Sequence, residues 1–439
     1  MNWRELLKTD RPGVKNSNAF ITSRNEYEKD IDRIIFSHPF RKLQDKTQVV
    51  PLPEHDFVHT RLTHSLEVSS VGRSLGKLAG EFILSKHPEL KEDGLEAGDF
   101  GFIIQAACLA HDIGNPPFGH SGESGISSSF SDGKLLQYNH LFNKDEWFDL
   151  CNFEGNAQGF RILMQKGLKP TYAVLGAFVK YPCLGNIEAR KDKKKLKKSQ
   201  KKYNFYISEK QDAQDFLEAV NLVKHCDNDL SYARHPLVFL TEAADDICYL
   251  IIDFEDAARM GIISEETYYH YLAPICGDQL DLERLSQYPD KNQRLGLVRA
   301  IAINKLIPAA IDTFKANYES IMNGTYENSL VDDGPFAEII AKISKFSRIN
   351  IYNSERVVEL QAAGFEILPR LTEQFCEAVI HAFKNEANAK EKNLLRLLPF
   401  ETNSNLSLYE NIRLCLDFIS GLTDRHALQL HKKLLGVHI

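Results

Sequence analysis

The sequence lacks the features of a membrane, exported or metal-thiolate protein. No apolar run approaches the ~18 consecutive residues of a membrane span, and the first residues, MNWRELLKTDRPG, contain no apolar core of a signal peptide. The eight cysteines are scattered and form no CxxC pair, which argues against a thiolate metal site and predicts reduced, mostly buried thiols. We therefore expect a cytoplasmic protein that does not bind membranes.

The composition is that of an ordinary globular chain with a mild acidic excess. Of the 439 residues, 43% are hydrophobic and 26% are charged, which excludes a fibrous or wholly disordered protein. The 53 Lys and Arg residues and 60 Asp and Glu residues give a formal charge of −7. Such a chain is not built as a general nucleic-acid coat, although a local basic patch stays open.

Apolar spacing predicts an all-α fold. Period-2 alternation is rare, whereas apolar residues recur at three- and four-residue spacing in 64–84, 236–259 and 296–322. The length predicts two or three domains at ~150 residues each, or one large domain. We expect a helical core over residues 1–260 and a helical C-terminal region over 261–439 packed on it. No flexible linker marks this boundary, so a single unit is the alternative.

Two further regions have the composition of loops. Residues 113–133, IGNPPFGHSGESGISSSFSDG, are rich in Gly, Pro and Ser, which predicts a loop at the mouth of a helical scaffold. Residues 190–202, RKDKKKLKKSQKK, carry nine basic residues and one acidic residue. That segment is either a solvated insertion or a basic collar for a polyanion, with its last lysines ordered by the aromatics of 203–206.

Four residues of metal-ligating type occur in apolar surroundings. His111 and Asp112 end the segment AACLAHD, His64 starts a second amphipathic stretch, and Asp245 interrupts a third. Imidazoles and carboxylates in such places are costly unless they are paired or hold a cation. Two imidazoles and two carboxylates suit a divalent metal with mixed nitrogen and oxygen ligands. Ordinary structural roles for these residues are the alternative at this point.

The helix that contains Asp245 predicts a second part of the same site. Asp245, Tyr249 and Asp253 are spaced i, i+4 and i+8, so they share one helix face. Asp245 and Asp246 cannot both face this direction, because successive helical residues are ~100° apart, so at most one of them points inward. The alternative is that Tyr249 belongs to the core and Asp253 to the surface.

These residues lie in a series of motifs that resembles the HD-domain deoxynucleoside triphosphate (dNTP) triphosphohydrolases. The resemblance is closest to the bacterial deoxyguanosinetriphosphate triphosphohydrolases, and the motifs follow the family order from about residue 24 to residue 424. They are DRIIFSHPFRKLQDKTQV at 32–49, HTRLTHSLEVSSVGR at 59–73, ACLAHDIGNPPFGHSGE at 107–123, FEGNAQGFRIL at 153–163, EAADDICYLIIDFEDA at 242–257, SERVVELQAAGFEIL at 354–368 and DFISGLTD at 417–424.

The resemblance implies a helical HD-domain phosphohydrolase that converts a dNTP and water to deoxynucleoside and triphosphate by attack at the α-phosphorus. It implies a divalent metal, which is Mg²⁺, Mn²⁺ or iron. The implied metal ligands are His64, His111, Asp112 and Asp245, and the implied catalytic dyad is His120 and Glu123. Substrate contacts are implied for Arg61, Lys180 and Lys202 at the phosphates, for Gln48, Tyr249 and Asp253 at the sugar, and for Asn156 and Arg234 without an assigned group.

The resemblance also implies a substrate preference and partners. A ring of Tyr249 under C2′ would leave no room for a 2′-hydroxyl, so we expect deoxynucleotides, with dGTP preferred or all dNTPs accepted. We expect a homo-oligomer, a tetramer or hexamer, and an effector that is a nucleotide or a single-stranded nucleic acid. Two other functions stay open, which are another HD-domain nucleotide phosphohydrolase and a catalytically silent nucleotide or nucleic-acid sensor.

Overall fold

The computed structural model describes residues 1–13, 24–48, 59–192, 194 and 196–437. These residues are mainly helical, which confirms the all-α prediction, and β-type pairing within them is limited to isolated bridges such as that of Thr47 with Thr60. The α-helices are α1 (Trp3–Leu6), α2 (Glu26–Ile35), α3 (His38–Lys42), α4 (Arg61–Lys86), α5 (Glu89–Glu92), α6 (Ala97–Ala110), α7 (Gly119–Ser131), α8 (Lys144–Cys151), α9 (Gly155–Leu163), α10 (Tyr172–Phe178), α11 (Lys210–Ala219), α12 (Val238–Arg259), α13 (Glu265–Cys276), α14 (Leu282–Ser286), α15 (Lys291–Ala316), α16 (Tyr318–Met322), α17 (Ala337–Asn350), α18 (Glu355–Phe383), α19 (Ala389–Leu395), α20 (Leu408–Ser420) and α21 (Asp424–Leu434).

The longest predicted helices are confirmed, and capping explains where α4 begins. The stretches at 64–84 and 236–259 correspond to α4 and α12, and the stretch at 296–322 is divided between α15 and α16. Thr60 caps α4, because its side chain accepts a hydrogen bond from the backbone N–H of Thr63. This cap sets the orientation of the first turns of α4, which contain Arg61 and His64.

Two main hydrophobic clusters organise the chain. The first contains Leu75 of α4, Ile104 of α6, Ile247 of α12 and Val298 of α15, so it includes helices from both sides of residue 260. The second joins α7 to α18, α20 and α21. The domain boundary at residue 260 stays a prediction, and the packing of the described residues brings helices from both halves together around the first cluster.

The loop prediction for 113–133 is wrong for residues 119–131, which form α7. The glycines in this helix permit close packing that larger residues would prevent. A Cβ atom on Gly125 would lie 3.1 Å from the ring of Pro369 in α18, and one on Gly122 would lie 2.0 Å from the carbonyl oxygen of Pro117. His120 therefore lies in the first turn of a packed helix and not in an open loop.

The basic segment 190–202 is attached to the fold at its C-terminal end. Lys193 and Lys195 lie outside the described residues. Ser199 is buried and donates through its backbone N–H to Glu327. The guanidinium of Arg190, the first residue of the segment, lies 5.5 Å from the ring centroid of Tyr203. Ordering of the last lysines by these aromatics stays a prediction.

All eight cysteines are free thiols and six of them are buried, as their apolar surroundings predicted. Cys226 is exposed. Within the described part of the chain, no helix combines the length and the apolar character that crossing a membrane requires.

The close approach of α4 to α6 gives a stability prediction. A Cβ atom on Gly76 would lie 2.5 Å from the backbone oxygen of Phe100 and 2.9 Å from Cα of Gly101. Because backbone atoms cannot move aside cheaply, we expect Gly76→Ala to lower the free energy of unfolding by about 1–3 kcal/mol or more. Gly98→Ala on α6 is the matched control, since its Cβ would meet only Phe102, 4.0 Å away. It should be neutral or stabilising in urea unfolding, and equal losses for the two variants would contradict the argument.

Candidate active site

A cleft of ≈510 Å³ is formed by residues of α4, α7, α12 and α18 together with the turn after α6. Most of the predicted site residues line it. They are Gln48, Arg61, His64, His111, Asp112, His120, Asn156, Lys180, Lys202, Asp245 and Tyr249. The other three, Glu123, Arg234 and Asp253, lie behind the cleft surface, and each is hydrogen-bonded to a residue that lines it.

Three side chains from separate helices meet as a group of metal-ligating type. His64 of α4 places Nε2 3.1 Å from Oδ1 of Asp245 in α12. His111, at the end of α6, places Nε2 3.5 Å from the same oxygen. Nδ1–H of His111 donates 2.6 Å to the carbonyl of Cys108, which leaves Nε2 to face the group. One ligand atom from each of the three side chains lies within 4.8 Å of the others.

The charges of this group favour a cation. Burial would raise the pKa of Asp245, but the neighbouring His111 and His64 outweigh burial and lower it, so the carboxylate is ionised at neutral pH. Burial would lower the pKa of His111, but Asp112 and Asp245 outweigh burial and raise it. The two carboxylates therefore give the group an attraction for positive charge, which a metal ion would satisfy in place of a proton.

Asp112 lies beside the group and is engaged by other side chains. Its Oδ1 is 3.6 Å from Nε2 of His111 and accepts a hydrogen bond from the amide of Asn115. Its Oδ2 accepts a hydrogen bond of 2.7 Å from Nη1 of Arg61. The structure therefore brings three of the four predicted ligands together and holds the fourth adjacent to them in an ion pair. Its role as a ligand stays a prediction.

His120 and Glu123 form a hydrogen-bonded pair on the first turn of α7. Nδ1 of His120 lies 2.7 Å from Oε2 of Glu123, and Oε1 of Glu123 accepts a hydrogen bond of 2.8 Å from the backbone N–H of Gly155. The His120 side chain is 87% exposed, whereas that of Glu123 is 12% exposed. Burial would raise the pKa of Glu123, but the hydrogen bond from His120 and the charge of Lys202 lower it. A fixed anion thus orients an imidazole that is open to the cleft.

Basic side chains line the cleft and are held by acidic partners. Nζ of Lys180 lies 3.2 Å from Oε1 of Glu242, and Nζ of Lys202 lies 3.4 Å from Oε1 of Glu154. Burial would lower the pKa of Lys180, but the charge of Glu242 outweighs burial and raises it. Nε of Arg61 is buried and has no hydrogen-bond partner among the described residues. All three cations therefore line the cleft, each beside an acidic partner.

Of the two residues without an assigned substrate group, Asn156 lines the cleft and Arg234 lies behind its surface. The structure does not place Arg234 at the cleft surface, because its guanidinium is buried and donates 2.8 Å to Oε2 of Glu242. It thus orders the acid that faces Lys180, and direct contact with a ligand in the cleft is not supported. Asn156 does line the cleft, and its amide donates 2.7 Å to Oε1 of Glu154.

Two tyrosines, an acid and an amide form another part of the cleft. Tyr249 stacks on Tyr352 with ring centroids 5.6 Å apart and planes inclined by 21°. The hydroxyl of Tyr352 donates 2.9 Å to Oδ2 of Asp253. Burial raises the pKa of Asp253 well above its usual value. Gln48 lines the cleft, and its buried Oε1 has no hydrogen-bond partner in the described residues.

The helical spacing correctly separates the two adjacent acids of α12. Asp245 faces the histidines, whereas Asp246 lines a neighbouring cavity of ≈260 Å³. Burial raises the pKa of Asp246 to about 8, although the nearby Lys180 opposes this rise. Lys180 lines both cavities and therefore lies between the two acids.

Sequence reasoning missed three residues that shape the cleft. Asn115 and Glu242 lie within the quoted motifs, three residues from Asp112 and from Asp245 respectively. This spacing could have predicted that they lie beside those residues in the site. Tyr352 gave no signal, because it lies between α17 and α18 and is 99 residues from its partner Asp253.

Comparison with known proteins gives a consistent set of relatives. Residues 61–145 match the HD domain model and residues 333–433 match the model of a phosphohydrolase-associated domain. A deoxyguanosinetriphosphate triphosphohydrolase-like protein of Synechocystis is 38% identical over 450 residues that cover 100% of both chains. A protein of the same description from Pseudomonas aeruginosa is 35% identical over 99% of both chains. A deoxyguanosinetriphosphate triphosphohydrolase of Cronobacter sakazakii is 31% identical over 100% of this chain and 98% of its own.

Proposed function

The chain belongs to the HD-domain deoxyguanosinetriphosphate triphosphohydrolase family and is a hydrolase, and we propose that it converts dNTPs and water to deoxynucleosides and triphosphate in the cleft described above. One observation carries the proposal. A group of metal-ligating type, a His–carboxylate pair and three basic side chains all reach the same cleft. Polyphosphate hydrolysis needs this combination, because it requires charge neutralisation, activated water and proton transfer at one place.

We assign the metal to His64, His111 and Asp245, with Asp112 as the adjacent fourth donor. Imidazole and carboxylate ligands fit Mn²⁺ or iron and also admit Mg²⁺. The ionised, half-buried Asp245 supports this assignment, since a carboxylate partly removed from water is costly without a positive partner. A divalent cation in this site supplies Lewis-acid charge that stabilises the phosphoryl group and helps to activate the attacking water.

The basic residues bind and orient the polyphosphate. A dNTP carries about four negative charges, and Arg61, Lys180 and Lys202 together bring three positive charges to it. Arg61 supports this role because it lines the cleft beside the metal-ligating group, where its guanidinium pairs with Asp112. Holding the chain of phosphates in one orientation aligns the α-phosphorus with water and with the leaving 5′-oxygen.

His120 moves the proton of the reaction. The 5′-alkoxide of a deoxynucleoside is a poor leaving group, so a proton donor at that oxygen lowers the barrier. Nδ1 of His120 faces Glu123, which leaves Nε2 toward the cleft. The buried carboxylate fixes this orientation and stabilises the protonated imidazole.

The sugar is proposed to lie against Tyr249, with Gln48 and Asp253 near the 3′-hydroxyl. The stacked pair of Tyr249 and Tyr352 gives a rigid wall, and the amide side chain of Gln48, which lines the same cleft, supports a bond to a hydroxyl. We propose dGTP as a substrate because relatives carry that name, and turnover of all four dNTPs is the alternative. An oligomer of four or six copies, a cytoplasmic location and a nucleotide or single-stranded nucleic-acid effector also stay proposals.

One experiment tests the function. The purified chain is incubated with each dNTP, singly and mixed, with Mg²⁺ or Mn²⁺, and the products are separated by ion-exchange chromatography. We expect deoxynucleoside and intact triphosphate. Release of pyrophosphate or monophosphate would instead support another HD-domain nucleotide phosphohydrolase, and binding without turnover would support a sensor. Faster turnover in the mixture than with any single dNTP would support a nucleotide effector.

The sugar wall gives a specificity prediction. Wild type should discriminate strongly against GTP relative to dGTP, because the ring of Tyr249 occupies the space of a 2′-hydroxyl. Tyr249→Ala should raise the ratio of kcat/KM for GTP to that for dGTP by at least about tenfold, as expected for removal of a steric contact.

Tyr352→Phe is the matched control for this prediction. It keeps the stacked ring but removes the hydrogen bond to Asp253. We expect this variant to change the ratio of kcat/KM for dideoxy-GTP to that for dGTP. Its ratio of kcat/KM for GTP to that for dGTP should stay within about twofold of wild type. Equal turnover of GTP and dGTP by wild type would count against the whole sugar assignment.

A further inference from the structure

One carboxylate from the C-terminal region connects two edges of the cleft. Asp424 is the first residue of α21, is 2% exposed and does not itself line the cleft. Its Oδ1 accepts a hydrogen bond of 3.1 Å from the backbone N–H of Phe118, and its Oδ2 accepts one of 3.0 Å from the backbone N–H of Thr47. Each oxygen thus holds the backbone of a different segment, and the two segments are far apart in sequence.

The first of these segments has an unfavourable backbone conformation. Phe118 has φ 61° and ψ 16°, which is the left-handed region that bulky residues rarely adopt. Such a conformation persists when surrounding contacts determine it. The hydrogen bond that the backbone N–H of Phe118 donates to Asp424 is one of these contacts, and Phe118 lies two residues before His120, which is in the first turn of α7. The direction in which α7 begins, and hence the position of His120, depends on this turn.

The second segment leads to Gln48 and to the start of α4. Thr47 precedes Gln48 and forms an isolated bridge with Thr60, the cap of α4. The backbone N–H of Arg61 donates 3.1 Å to the carbonyl of Lys46. The hydrogen bond that the backbone N–H of Thr47 donates to Asp424 therefore fixes a segment that is attached to a proposed sugar contact and to a proposed phosphate contact.

Two lysines near Thr47 also connect the C-terminal region to the edges of the cleft. Nζ of Lys46 donates 2.9 Å to the carbonyl of Ser420 and also donates to the carbonyl of Asn115. Nζ of Lys42 donates 2.6 Å to the carbonyl of Gly421. The N-terminus of α21 favours the negative charge of Asp424. The end of α20 and the start of α21 thus contact both edges of the cleft.

We propose that Asp424 is a positioning residue that sets the distance between the His120 edge and the Gln48 edge of the cleft. The inference rests on the proposed function, and it assigns a role to the C-terminal region in the reaction. A carboxylate suits this task because each of its oxygens accepts an N–H, whereas an amide has only one acceptor atom. Asparagine at 424 would place an NH₂ group against one of the two backbone donors.

The test compares Asp424→Asn with Thr423→Ala in the full chain. Thr423 caps the same helix by accepting from the N–H of His426, so its loss weakens α21 without touching either edge of the cleft. Asp424→Asn should lower kcat for dGTP by about 10- to 100-fold, because a displacement of about 1 Å has such an effect. It should also lower the preference for dGTP over dideoxy-GTP. Thr423→Ala should lower the Tm but leave kcat and this preference within about twofold of wild type.

A readout independent of activity separates this inference from the proposed function. Hydrogen–deuterium exchange should quicken at least about tenfold in peptides covering 42–48 and 113–120 of Asp424→Asn, and not in Thr423→Ala. Slow exchange in both variants, or equal losses of kcat in both, would overturn the inference. A wild-type protein that releases no triphosphate from any dNTP would refute the proposed function instead.

A longer side chain provides a second variant if Asp424→Asn does not fold. Asp424→Glu keeps the charge and both oxygens but adds a methylene, so it displaces the two N–H groups without removing their partners. Compared with Thr423→Ala, Asp424→Glu should show a larger loss of kcat and a smaller loss of Tm. A folded Asp424→Glu with wild-type kcat and wild-type dideoxy-GTP discrimination would also overturn the inference.

Discussion

Replacement of His111 by alanine should remove the bound divalent metal and lower dNTP hydrolysis by at least about 10³-fold. Nε2 of His111 faces Asp245, and it is one of three ligand atoms within 4.8 Å of one another. Loss of one of three such donors leaves an incomplete site, and a metal contributes several kcal/mol to such a transition state. Metal content by mass spectrometry and triphosphate release should fall together. A folded variant that keeps both would refute the assignment.

His140→Ala is the matched control for this result. His140 is an exposed histidine within the same domain, and its ring bonds only to the carbonyl of Gln137 among the described contacts. We expect its metal content and activity to equal those of wild type, since its ring does not line the cleft.

The role of Asp112 can be separated from that of Arg61. Asp112 pairs with Arg61 and also lies 3.6 Å from His111, so its loss would disturb both contacts. Arg61→Met removes the ion pair but leaves the Asp112 carboxylate in place. If Asp112 is a ligand, metal content should fall in Asp112→Asn and persist in Arg61→Met, whose main defect should be a raised KM. Equal metal content in both variants would restrict Asp112 to orienting Arg61.

Replacement of His120 by alanine should lower kcat by about 10²- to 10⁴-fold and leave the metal in place. The His120 side chain is 87% exposed and bonds to Glu123 rather than to the His64–His111–Asp245 group. Its removal costs little packing, so the Tm should stay close to that of wild type. Single-turnover assays on metal-loaded protein will separate the chemical step from substrate binding.

Glu123→Gln tests whether the carboxylate acts through His120. The amide keeps a hydrogen bond to Nδ1 or to Gly155 but loses the charge that stabilises a protonated imidazole. We expect a smaller fall in kcat than for His120→Ala, and no further fall when both changes are combined, because the residues act as a unit. Additive effects of the two substitutions would show that they act separately.

Helix type followed from local patterns that a single sequence contains, whereas the proposed ligand set was implied by the family resemblance. The spacing of apolar residues gives α4 and α12 because a 3.6-residue period places them on one face. The same period separates Asp245 from Asp246 without knowledge of any neighbour. The stretch 119–131 was assigned wrongly, since its glycines and serines have low helical preference. Close packing against α18 outweighs that preference and is invisible to a local pattern.

By itself, the sequence determined the helical fold, the motif order and the residue types that meet in the cleft. Only the tertiary structure decided that Asp112 pairs with Arg61, that Arg234 lies behind Glu242, that Tyr352 supports Tyr249, and that Asp424 bonds two edges of the cleft. The reason is physical. Local periodicity is fixed by backbone geometry over a few residues, whereas these partners are set by how distant helices pack, and Asp424 lies 306 residues from Phe118.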